Sequence, residues 1–390
     1  MKNNIPQGYK ATALGIIPQE WEVKKLGEVG KLLSGLTYTP SNIQSDGILV
    51  LRSSNIQNGV LAFDDNVYVN VSSYTPVKAG DILICVRNGS QNLIGKTALI
   101  TQEAEGCAFG AFMAVFRSPI SKYVFYLLGT ELYRKYIFRN LGATINSING
   151  SDLKKFRFPF PPLAEQQKIA EVLGVWDEAI EKQARLIEKL ALRKRALMQR
   201  LLSAKLRLPG FSEPWKEQKI NKITTIKKGE QVNKDVLFSN AKYPVINGGI
   251  TPSGYLDTYN TKANTITISE GGNSCGYVNF MTTPFWSGGH CYTIDAKDGI
   301  NNLFIYQLLK NNEKYIMSLR VGSGLPNIQI KDLGNIKFMI PTYQEQTAIA
   351  EVLTAADREI ELAKEKLERL RRQKRGLMQQ LLTGKKRVKY

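Results

Sequence analysis

The chain has 390 residues, of which 43% are hydrophobic and 9% aromatic, and this composition is typical of a folded protein and excludes general disorder. Its formal charge of +19 predicts a polyanionic partner, although a basic protein without such a partner is the alternative. The only histidine is His290, which excludes Ser-His-Asp, Cys-His and multi-histidine metal chemistry, so neither catalytic residues nor metal ligands are predicted.

Neither a membrane segment nor a secretory signal is evident in the sequence. No apolar run reaches the roughly 18 residues that a membrane-spanning helix needs, and the opening MKNNIPQGYK has no apolar stretch. We therefore expect a cytoplasmic protein without membrane association. The cysteines show no C-x-x-C spacing and are expected to be buried free thiols: Cys85, Cys107, Cys275 and Cys291.

The chain contains two similar halves whose ends match and whose middles differ. IPQEWEVKKLGEVGKLLSG aligns with FSEPWKEQKINKITTIKKG, so that Trp21 matches Trp215. Each opening is followed by short β-like runs that Gly, Asn and Ser punctuate, and then by a segment, 123–161 or 303–341, that matches its counterpart. The predicted strands are 48–54, 81–87, 96–101 and 111–116 in the first half, and 265–270, 277–281 and 290–295 in the second. Each middle is therefore predicted to be a mostly β domain.

One segment of the first middle is partly similar to a phosphate-binding loop. GSQNLIGKTALI follows a predicted strand and contains the tripeptide GKT at 95–97. The P-loop motif needs a glycine five residues before Gly95, where this chain has Ser90. The residues after Thr97 alternate as in a strand, whereas a P-loop continues into a helix. A polar hairpin tip therefore explains the segment better than nucleotide binding does.

A repeated segment with helical periodicity follows each middle. Residues 163–205 return as 343–385 without a gap, which indicates a duplication. In each copy, residues at alternating spacings of three and four form a seam typical of a coiled coil. The seam residues are Ile180, Gln183, Ile187, Leu190, Lys194, Leu197 and Leu201, and then Ile360, Ala363, Leu367, Leu370, Lys374, Leu377 and Leu381. Core packing within one domain would explain a single seam, but two copies favour two helices that pack on each other as a spacer.

Capping residues predict where the long helices begin and end. Asp177 and Asp357 are predicted N-caps, and Gly384 is a predicted C-cap. Shorter helices are predicted before the N-caps, at 163–174 and 343–354. A helix from Asp177 to residue 203 would be about 40 Å long, which is close to the ~34 Å between successive major grooves on one face of DNA.

The predicted fold class is α+β, with two mostly-β domains joined by two long antiparallel helices in an internal duplication with a pseudo-twofold. The predicted boundaries are 1–157 for the first domain, 158–205 for the first helical spacer, 206–340 for the second domain and 341–390 for the second spacer. Because the ends of the two halves match and their middles diverge, the similar parts of the chain would carry two different binding surfaces.

The chain resembles, over nearly its whole length, the specificity subunit of type I restriction-modification systems. The resemblance rests on PLAEQQKIAEVL and its repeat, on the helix ends LMQRLLS and LMQQLLTG, and on the opening IPQEWEVKKLGEV. It implies two target-recognition domains, each binding one half of a split, asymmetric site in double-stranded DNA, and two antiparallel helical regions that fix the gap between the halves. It also implies binding of two methyltransferase (modification) subunits, which restriction subunits join. S-adenosylmethionine, ATP and magnesium would belong to those partners, so no cofactor is expected in this chain.

The candidate DNA contacts are polar residues on the predicted hairpin tips, because Arg can bind guanine edges and Asn or Gln adenine edges in the major groove. They are Arg87, Asn88, Ser90, Gln91, Asn92 and Lys96 in the first half, and Glu270, Asn273, Ser274 and Tyr277, with Trp286 and His290 nearby, in the second. A turn-forming or core residue without DNA contact is the alternative for each. Arg87 and Glu270 are expected to occupy related positions, so the two halves would recognise different bases.

Two other functions are considered beside DNA recognition. A non-catalytic helical scaffold would bind DNA without regard to its sequence. A P-loop nucleotide-binding protein would hydrolyse nucleotide in a manner that depends on Lys96.

Overall fold

The computed structural model describes residues 5–141, 146–322, 324 and 326–389. The parts of the predicted domains, repeats and second spacer at the remaining positions lie outside the described residues. The chain divides into two units, which are Met1–Lys182 with Leu367–Tyr390, and Gln183–Lys366. Each unit holds one domain and segments of both long helices. None of the described helices is both long and apolar enough to cross a membrane.

The first domain is built on a four-stranded antiparallel sheet. Its strand order is Thr97–Leu99, Ile82–Cys85, Met113–Arg117 and Lys31–Ser34. Side chains alternate between its faces, so Ile82 and Ile84 pack in one buried cluster and Leu83 and Cys85 in another. This burial on both faces explains why the strand is a continuous apolar run.

Smaller elements complete the first unit. A second sheet has the order Ala108–Phe109, Ile48–Leu51, Tyr68–Val69 and Ile43–Gln44, with its first pair parallel. The other strands are Tyr9–Thr12, Gly15–Pro18, Glu22–Lys25, Ile56–Gln57, Val60–Leu61 and Arg157–Phe160. The α-helices of the domain are Leu26–Val29, Ser121–Leu127, Glu131–Asn140 and Gly150–Lys155, and its 3-10 helices are Pro40–Asn42, Ser53–Asn55, Gln91–Leu93 and Gln102–Ala104.

The second domain repeats this sheet order although its sequence differs. Starting from the strand that corresponds to Lys31–Ser34 of the first domain, its main sheet has the order Thr224–Lys228, Cys291–Ala296, Thr265–Ser269 and Val278–Met281, all antiparallel. A smaller sheet has the order Gly254–Leu256, Tyr243–Ile246 and Trp286–Ser287, again with one parallel pair. The other strands are Lys216–Lys219 and Lys337–Ile340. The α-helices of the domain are Ile220–Ile223, Asn302–Asn311, Glu313–Ser318 and Ile330–Asn335, and its 3-10 helix is Lys234–Val236. Every predicted strand in both middles is confirmed, with ends that differ by a few residues.

The matching ends of the two halves form matching structure. Glu22–Lys25 pairs with Arg157–Phe160 in the first unit, and Lys216–Lys219 pairs with Lys337–Ile340 in the second. Each two-stranded ribbon brings the start and the end of its domain together, immediately before a long helix begins.

Each long helix is continuous. One spans Leu163–Leu201 and the other Tyr343–Leu381. The predicted N-caps at Asp177 and Asp357, and the separate shorter helices before them, are therefore wrong. Aspartate is a weak helix former, but tertiary contacts hold both aspartates inside the helices.

Those contacts join the two helix segments within each unit. In the first unit, the Lys374 ammonium donates to Asp177, and the Tyr126 hydroxyl donates to the same carboxylate at 2.8 Å. In the second unit, Lys194 donates to Asp357 at 2.5 Å, as Lys374 does to Asp177, and Gln307, the neighbour of the matching Tyr306, donates to Asp357 at 2.8 Å. The aspartates therefore link one helix segment both to the other and to the domain of the same unit.

The predicted seam is confirmed in both helices, because its residues are buried or half-buried and those between them are largely exposed. Within the second unit the two segments run antiparallel, since Gln183 contacts Ala363 and Lys194 contacts Asp357. The buried Gln183 amide donates to the Ala363 carbonyl at 3.0 Å. A buried polar residue in an apolar seam specifies the register of the helices.

The sheets of the two domains, together with the two long helices, confirm the predicted α+β class.

A buried carboxylate near the start of each long helix receives a tryptophan and an arginine. In the first unit, Glu165 accepts from Trp21 Nε1 at 3.0 Å and from Arg387 Nε at 2.5 Å. The hydrogen bond with Glu165 raises the pKa of Arg387. The equivalent distances to Glu345 in the second unit are 3.1 Å from Trp215 Nε1 and 2.6 Å from Arg207 Nε. The arginine follows the end of one long helix, so each cluster ties that end to the start of the other helix.

The cysteines are free, and three of them, Cys85, Cys275 and Cys291, are buried as predicted, whereas Cys107 is half-buried. Burial raises the pKa of Cys85 and of Cys291 to about 11. Because the thiolate is the reactive form, both side chains behave as apolar core residues at neutral pH.

The two long helices end in the same way but with different residues. After each last turn, a backbone N–H donates back six residues: Leu206 to Arg200 at 3.0 Å, and Lys386 to Gln380 at 3.1 Å. The turn needs a left-handed residue, which is Gly384 with φ 72° in the second helix, as predicted, and Ala204 with φ 59° in the first.

This difference predicts opposite effects of two substitutions on stability. Ala204→Gly is expected to raise the free energy of unfolding by about 0.5–1 kcal/mol, because a β-carbon is strained at positive φ. Gly384→Ala is expected to lower it by at least as much, since the new Cβ would also lie 2.3 Å from Pro18 Cδ. Urea unfolding midpoints of the two variants and the wild type test this, and a lower midpoint for Ala204→Gly would contradict it.

Candidate nucleic-acid interface

The predicted tip of the first domain is a hairpin connection. Residues 86–96 join the antiparallel strands Ile82–Cys85 and Thr97–Leu99 and contain all six candidate residues of this half. Asn88 is half-buried, and the others, Arg87, Ser90, Gln91, Asn92 and Lys96, are exposed. Their location on a tip is confirmed, and their contact with DNA stays a prediction.

Two tip residues have contacts that distinguish their roles. The Arg87 guanidinium carbon lies 5.4 Å from the centroid of the Phe112 ring, an arrangement that orients the planar donor group. Asn88 Nδ2 donates to Ser53 Oγ at 2.9 Å, and its Oδ1 accepts from the Ser90 N–H at 2.9 Å. Both ends of the Asn88 amide are therefore occupied in shaping the tip, whereas Arg87 faces solvent.

The tip of the second domain is also a hairpin connection. Residues 270–277 join the antiparallel strands Thr265–Ser269 and Val278–Met281. They contain Glu270, Asn273, Ser274 and Tyr277, of which Asn273 is exposed and the others half-buried.

Tyr277 and Trp286 are partly occupied by neighbours within the second unit. Lys310 Nζ lies 4.3 Å from the centroid of the Tyr277 ring, so one ring face is covered. Trp286 lies on a short strand outside the tip, and its Nε1 donates to the Glu230 carbonyl at 3.0 Å. Neither residue belongs to the most exposed part of the surface.

Glu270 is the centre of a charged cluster. Its Oε1 accepts from Lys228 Nζ at 2.5 Å and from the Tyr292 hydroxyl at 3.0 Å, and its Oε2 lies 3.4 Å from His290 Nδ1. The Glu270 side chain is 12% exposed, whereas Lys228 is 52% and His290 62% exposed. The carboxylate therefore anchors Lys228 by a hydrogen bond, whereas its Oε2 lies near His290 Nδ1 without a hydrogen bond among the described residues.

A cavity of about 490 Å³ opens beside this cluster, within the second unit. It is lined by Lys228, Gly248, Glu270, Gly271, Gly272, His290, Pro326 and Asn327. Three of these eight residues are glycines, so the charged side chains and the backbone largely determine what can bind there.

Matching backbone hydrogen bonds identify equivalent positions in the two domains. The Val86 N–H donates to the Phe112 carbonyl at 3.0 Å, and the Glu270 N–H donates to the His290 carbonyl at 2.9 Å. In turn, the Val86 and Glu270 carbonyls accept at 2.9 Å from the equivalent residues Ile148 and Ile328. Glu270 therefore corresponds to Val86, and His290 corresponds to Phe112.

Arg87 and Glu270 thus lie on equivalent tips but one residue apart in register. Arg87 forms a bridge with Ser147, as Gly271 does with Asn327. Because successive residues of an extended chain point to opposite sides, a one-residue shift changes which side chain faces the surface.

The loop before Phe112 or His290 is positioned by a close approach of glycine backbones. A Cβ on Gly35 would lie 2.1 Å from the Gly110 carbonyl oxygen, and one on Gly229 would lie 2.3 Å from that of Gly288. Only glycine fits such an approach, which explains the alignment of these two glycines in the matching openings.

The surface near the tips also includes Phe112 and Lys228, which are not among the candidates that the sequence pattern indicates. Phe112 was assigned to a predicted strand at 111–116, but the strand is Met113–Arg117 and the Phe112 side chain is 56% exposed. Lys228 ends a strand immediately before Gly229. The sequence did contain a signal for this position, which is a glycine two residues earlier. Gly110 lies two residues before Phe112, and Gly288 lies two residues before His290.

The alternative of a P-loop is not supported by the geometry. Gly95 and Lys96 lead into the strand Thr97–Leu99, which pairs with Ile82–Cys85, whereas a P-loop leads into a helix whose N-terminus holds the phosphates. Across the described residues, no group of three or more His, Cys, Asp or Glu side chains could hold a metal ion.

A family model described as the type I restriction modification DNA specificity domain matches residues 18–191 and again residues 212–372. The chain belongs to this family. As a type I specificity subunit, it is the non-catalytic component of its system. The two matches coincide with the two halves that the sequence repeat defines.

Named relatives of the family align with the chain over different lengths. A putative type I restriction enzyme MjaX specificity subunit of Methanocaldococcus jannaschii is 28% identical and aligns over 98% of this chain and 97% of its own length. The EcoKI specificity subunit of Escherichia coli is 33% identical over 170 residues, which cover 41% of this chain and 36% of the relative.

Solved structures of specificity subunits share the fold. The type I S subunit from M. genitalium covers 98% of this chain and 97% of its own, with a TM-score of 0.63 and 21% identity. A chain from a structure titled for complex assembly and conformational transition of the type I R-M system covers 94% of this chain and 99% of its own, with a TM-score of 0.57 and 17% identity.

Proposed function

We propose that this specificity subunit recognises an asymmetric, bipartite sequence in double-stranded DNA. Domains 1–157 and 206–340 would each bind one half-site, and the helical regions 158–205 and 341–390 would set the gap between the halves. One observation carries the proposal: the two domains share the same four-stranded sheet but expose different side chains at equivalent positions. The net charge of +19 supports contacts with phosphates, which position a protein without specifying sequence.

The partners proposed are two methyltransferase subunits, with restriction subunits joining the full complex. The helical motif occurs twice in the chain, and in each unit a domain side chain donates a hydrogen bond to the matching aspartate, Asp177 or Asp357. A partner that binds one copy therefore has a second, similar surface. S-adenosylmethionine, ATP and magnesium would be held by those partners, and the proposed location is the cytoplasm, where DNA is accessible.

A domain exchange tests the proposal. Replacing residues 36–122 with those of another family member is expected to change one half of the methylated site and leave the other unchanged, because these residues carry the first recognition surface. The measurement is a map of methylated bases after co-expression with the methyltransferase partner. The reciprocal control replaces the equivalent residues 230–302 and should change only the other half. A change in both halves after one exchange would contradict the proposal.

The competing functions give different results in simple assays. A scaffold without recognition would give a complex whose affinity for DNA is indifferent to sequence. A nucleotide-binding protein would hydrolyse ATP as a purified chain, and Lys96→Ala would abolish that activity. We expect a specific site in the first assay and no hydrolysis to abolish in the second.

A further inference from the structure

The two domains differ in charge at one set of equivalent positions on the surface. Strand pairing places Ser34 opposite Ala114 and Lys228 opposite Tyr292, which completes the correspondence of Val86 with Glu270 and of Phe112 with His290. The equivalent pairs are therefore Ser34 and Lys228, Val86 and Glu270, Phe112 and His290, and Ala114 and Tyr292. The set is uncharged in the first domain and contains a linked lysine, glutamate and histidine in the second.

In the first domain, this set presents an exposed aromatic ring on a fixed backbone. The Phe112 carbonyl accepts from the Val86 N–H at 3.0 Å and from the Arg87 N–H at 3.1 Å. The Arg87 guanidinium lies beside the ring. A rigidly held apolar group in solvent is a candidate contact residue, and an apolar side chain in the major groove distinguishes thymine by its C5 methyl group.

In the second domain, the same position presents polar groups that complement both bases of a G·C pair. Lys228 is a donor, and guanine presents O6 and N7 as acceptors in the major groove. His290 directs Nδ1 towards Glu270, so that Nε2 faces away from the carboxylate. A neutral imidazole with Nδ1 protonated offers Nε2 as an acceptor, and cytosine presents its N4 amino group as a donor.

We propose that Phe112 and His290 are specificity-determining residues at equivalent places in the two half-sites, with Phe112 contacting the methyl group of a T·A pair and His290, together with Lys228, contacting a G·C pair. This inference rests on the proposed function and adds the chemical class of the base pair that each domain recognises. Glu270 is a positioning residue, because it accepts a hydrogen bond from Lys228, lies 3.4 Å from His290 Nδ1 and is itself largely buried.

The test uses the chain in complex with the methyltransferase subunits and a DNA library with randomised half-sites. Phe112→Ala is expected to reduce the preference for one T·A pair in the first half-site roughly tenfold and to leave the second half-site unchanged. His290→Ala and Lys228→Ala should each reduce the preference for the same G·C pair in the second half-site by a similar factor. Each half-site therefore serves as the control for the other.

The role of Glu270 has its own variants. Glu270→Ala should relax the same G·C pair as Lys228→Ala, and Glu270→Gln should retain part of that preference, because the amide oxygen can still accept from lysine. A wild-type complex without any bipartite site would refute the proposed function. A wild-type complex with such a site, and with half-site preferences that Phe112→Ala and His290→Ala leave unchanged, would overturn this inference alone. So would relaxation at a G·C pair by Phe112→Ala, or relaxation at a T·A pair by His290→Ala.

Discussion

Replacing Glu345 with alanine is expected to lower the free energy of unfolding of the second unit by roughly 1–3 kcal/mol, because a buried hydrogen-bond donor is left without its acceptor. Arg207 would lose two hydrogen bonds, and the buried Trp215 Nε1–H would lose its acceptor. The same change also detaches the segment after the first long helix from the start of the second. No surface ion pair of this chain is expected to matter as much.

Hydrogen exchange resolved by peptide would locate the effect. Faster exchange is expected in residues 206–366 of the Glu345→Ala variant, with little change in residues 22–160. The control is Glu361→Ala, which removes a 57% exposed carboxylate that pairs with Lys364, and surface pairs contribute about 0–1 kcal/mol. Equal destabilisation by the two variants would contradict the assignment. Glu165→Ala should have the large effect on the first unit instead, since Trp21 and Arg387 surround it in the same way.

Lengthening the helical spacer is expected to widen the gap between the half-sites. Four residues inserted after Leu186, together with four after the equivalent Lys366, add roughly 6 Å of helix, which corresponds to one or two base pairs at about 3.4 Å each. Both positions lie close to the contact of Gln183 with Ala363, so the paired segments are extended together. Mapping the methylated site of this variant measures the gap, and each half-site should keep its sequence.

An insertion after Leu202 provides the control. The sequence pattern suggests that point as the place to lengthen the spacer, but the helix has already ended at Leu201. Leu202 lies in the buried core of the second unit, and Arg207 is held by Glu345. Four residues added there should form a bulge and leave the gap unchanged. If the central double insertion also left the gap unchanged at full activity, the helices would not determine the spacing.

The duplication and its periodicity predicted most of the fold. The alternating spacing of three and four residues is enough to identify the seam residues. The same spacing recurs 180 positions later, for instance at Leu201 and Leu381. Alternating apolar runs and Gly-rich turns located the strands, because local chain geometry determines those patterns. The tips that carry the candidate residues follow directly from the strands that flank them.

Long-range contacts explain what the sequence pattern could not predict. Asp177 has the local features of an N-cap, but its partner is Lys374, which is distant in sequence. Similarly, the equivalence of Glu270 with Val86 depends on backbone hydrogen bonds to Phe112 and His290. A shift of one residue leaves the sequence pattern nearly unchanged, although it changes which side chain reaches the surface.

The division of the chain into units has a consequence for synthesis on the ribosome. The second unit is one continuous segment, Gln183–Lys366, whereas the core of the first unit includes Leu381 and Leu382 near the end of the chain. Domains generally fold as their residues emerge, in order from the N-terminus. Here the domain that is translated first must wait for the last residues to be translated, so the second unit completes its core earlier. A released chain truncated after residue 366 would therefore contain the whole core of the second unit but lack Leu381 and Leu382 of the first.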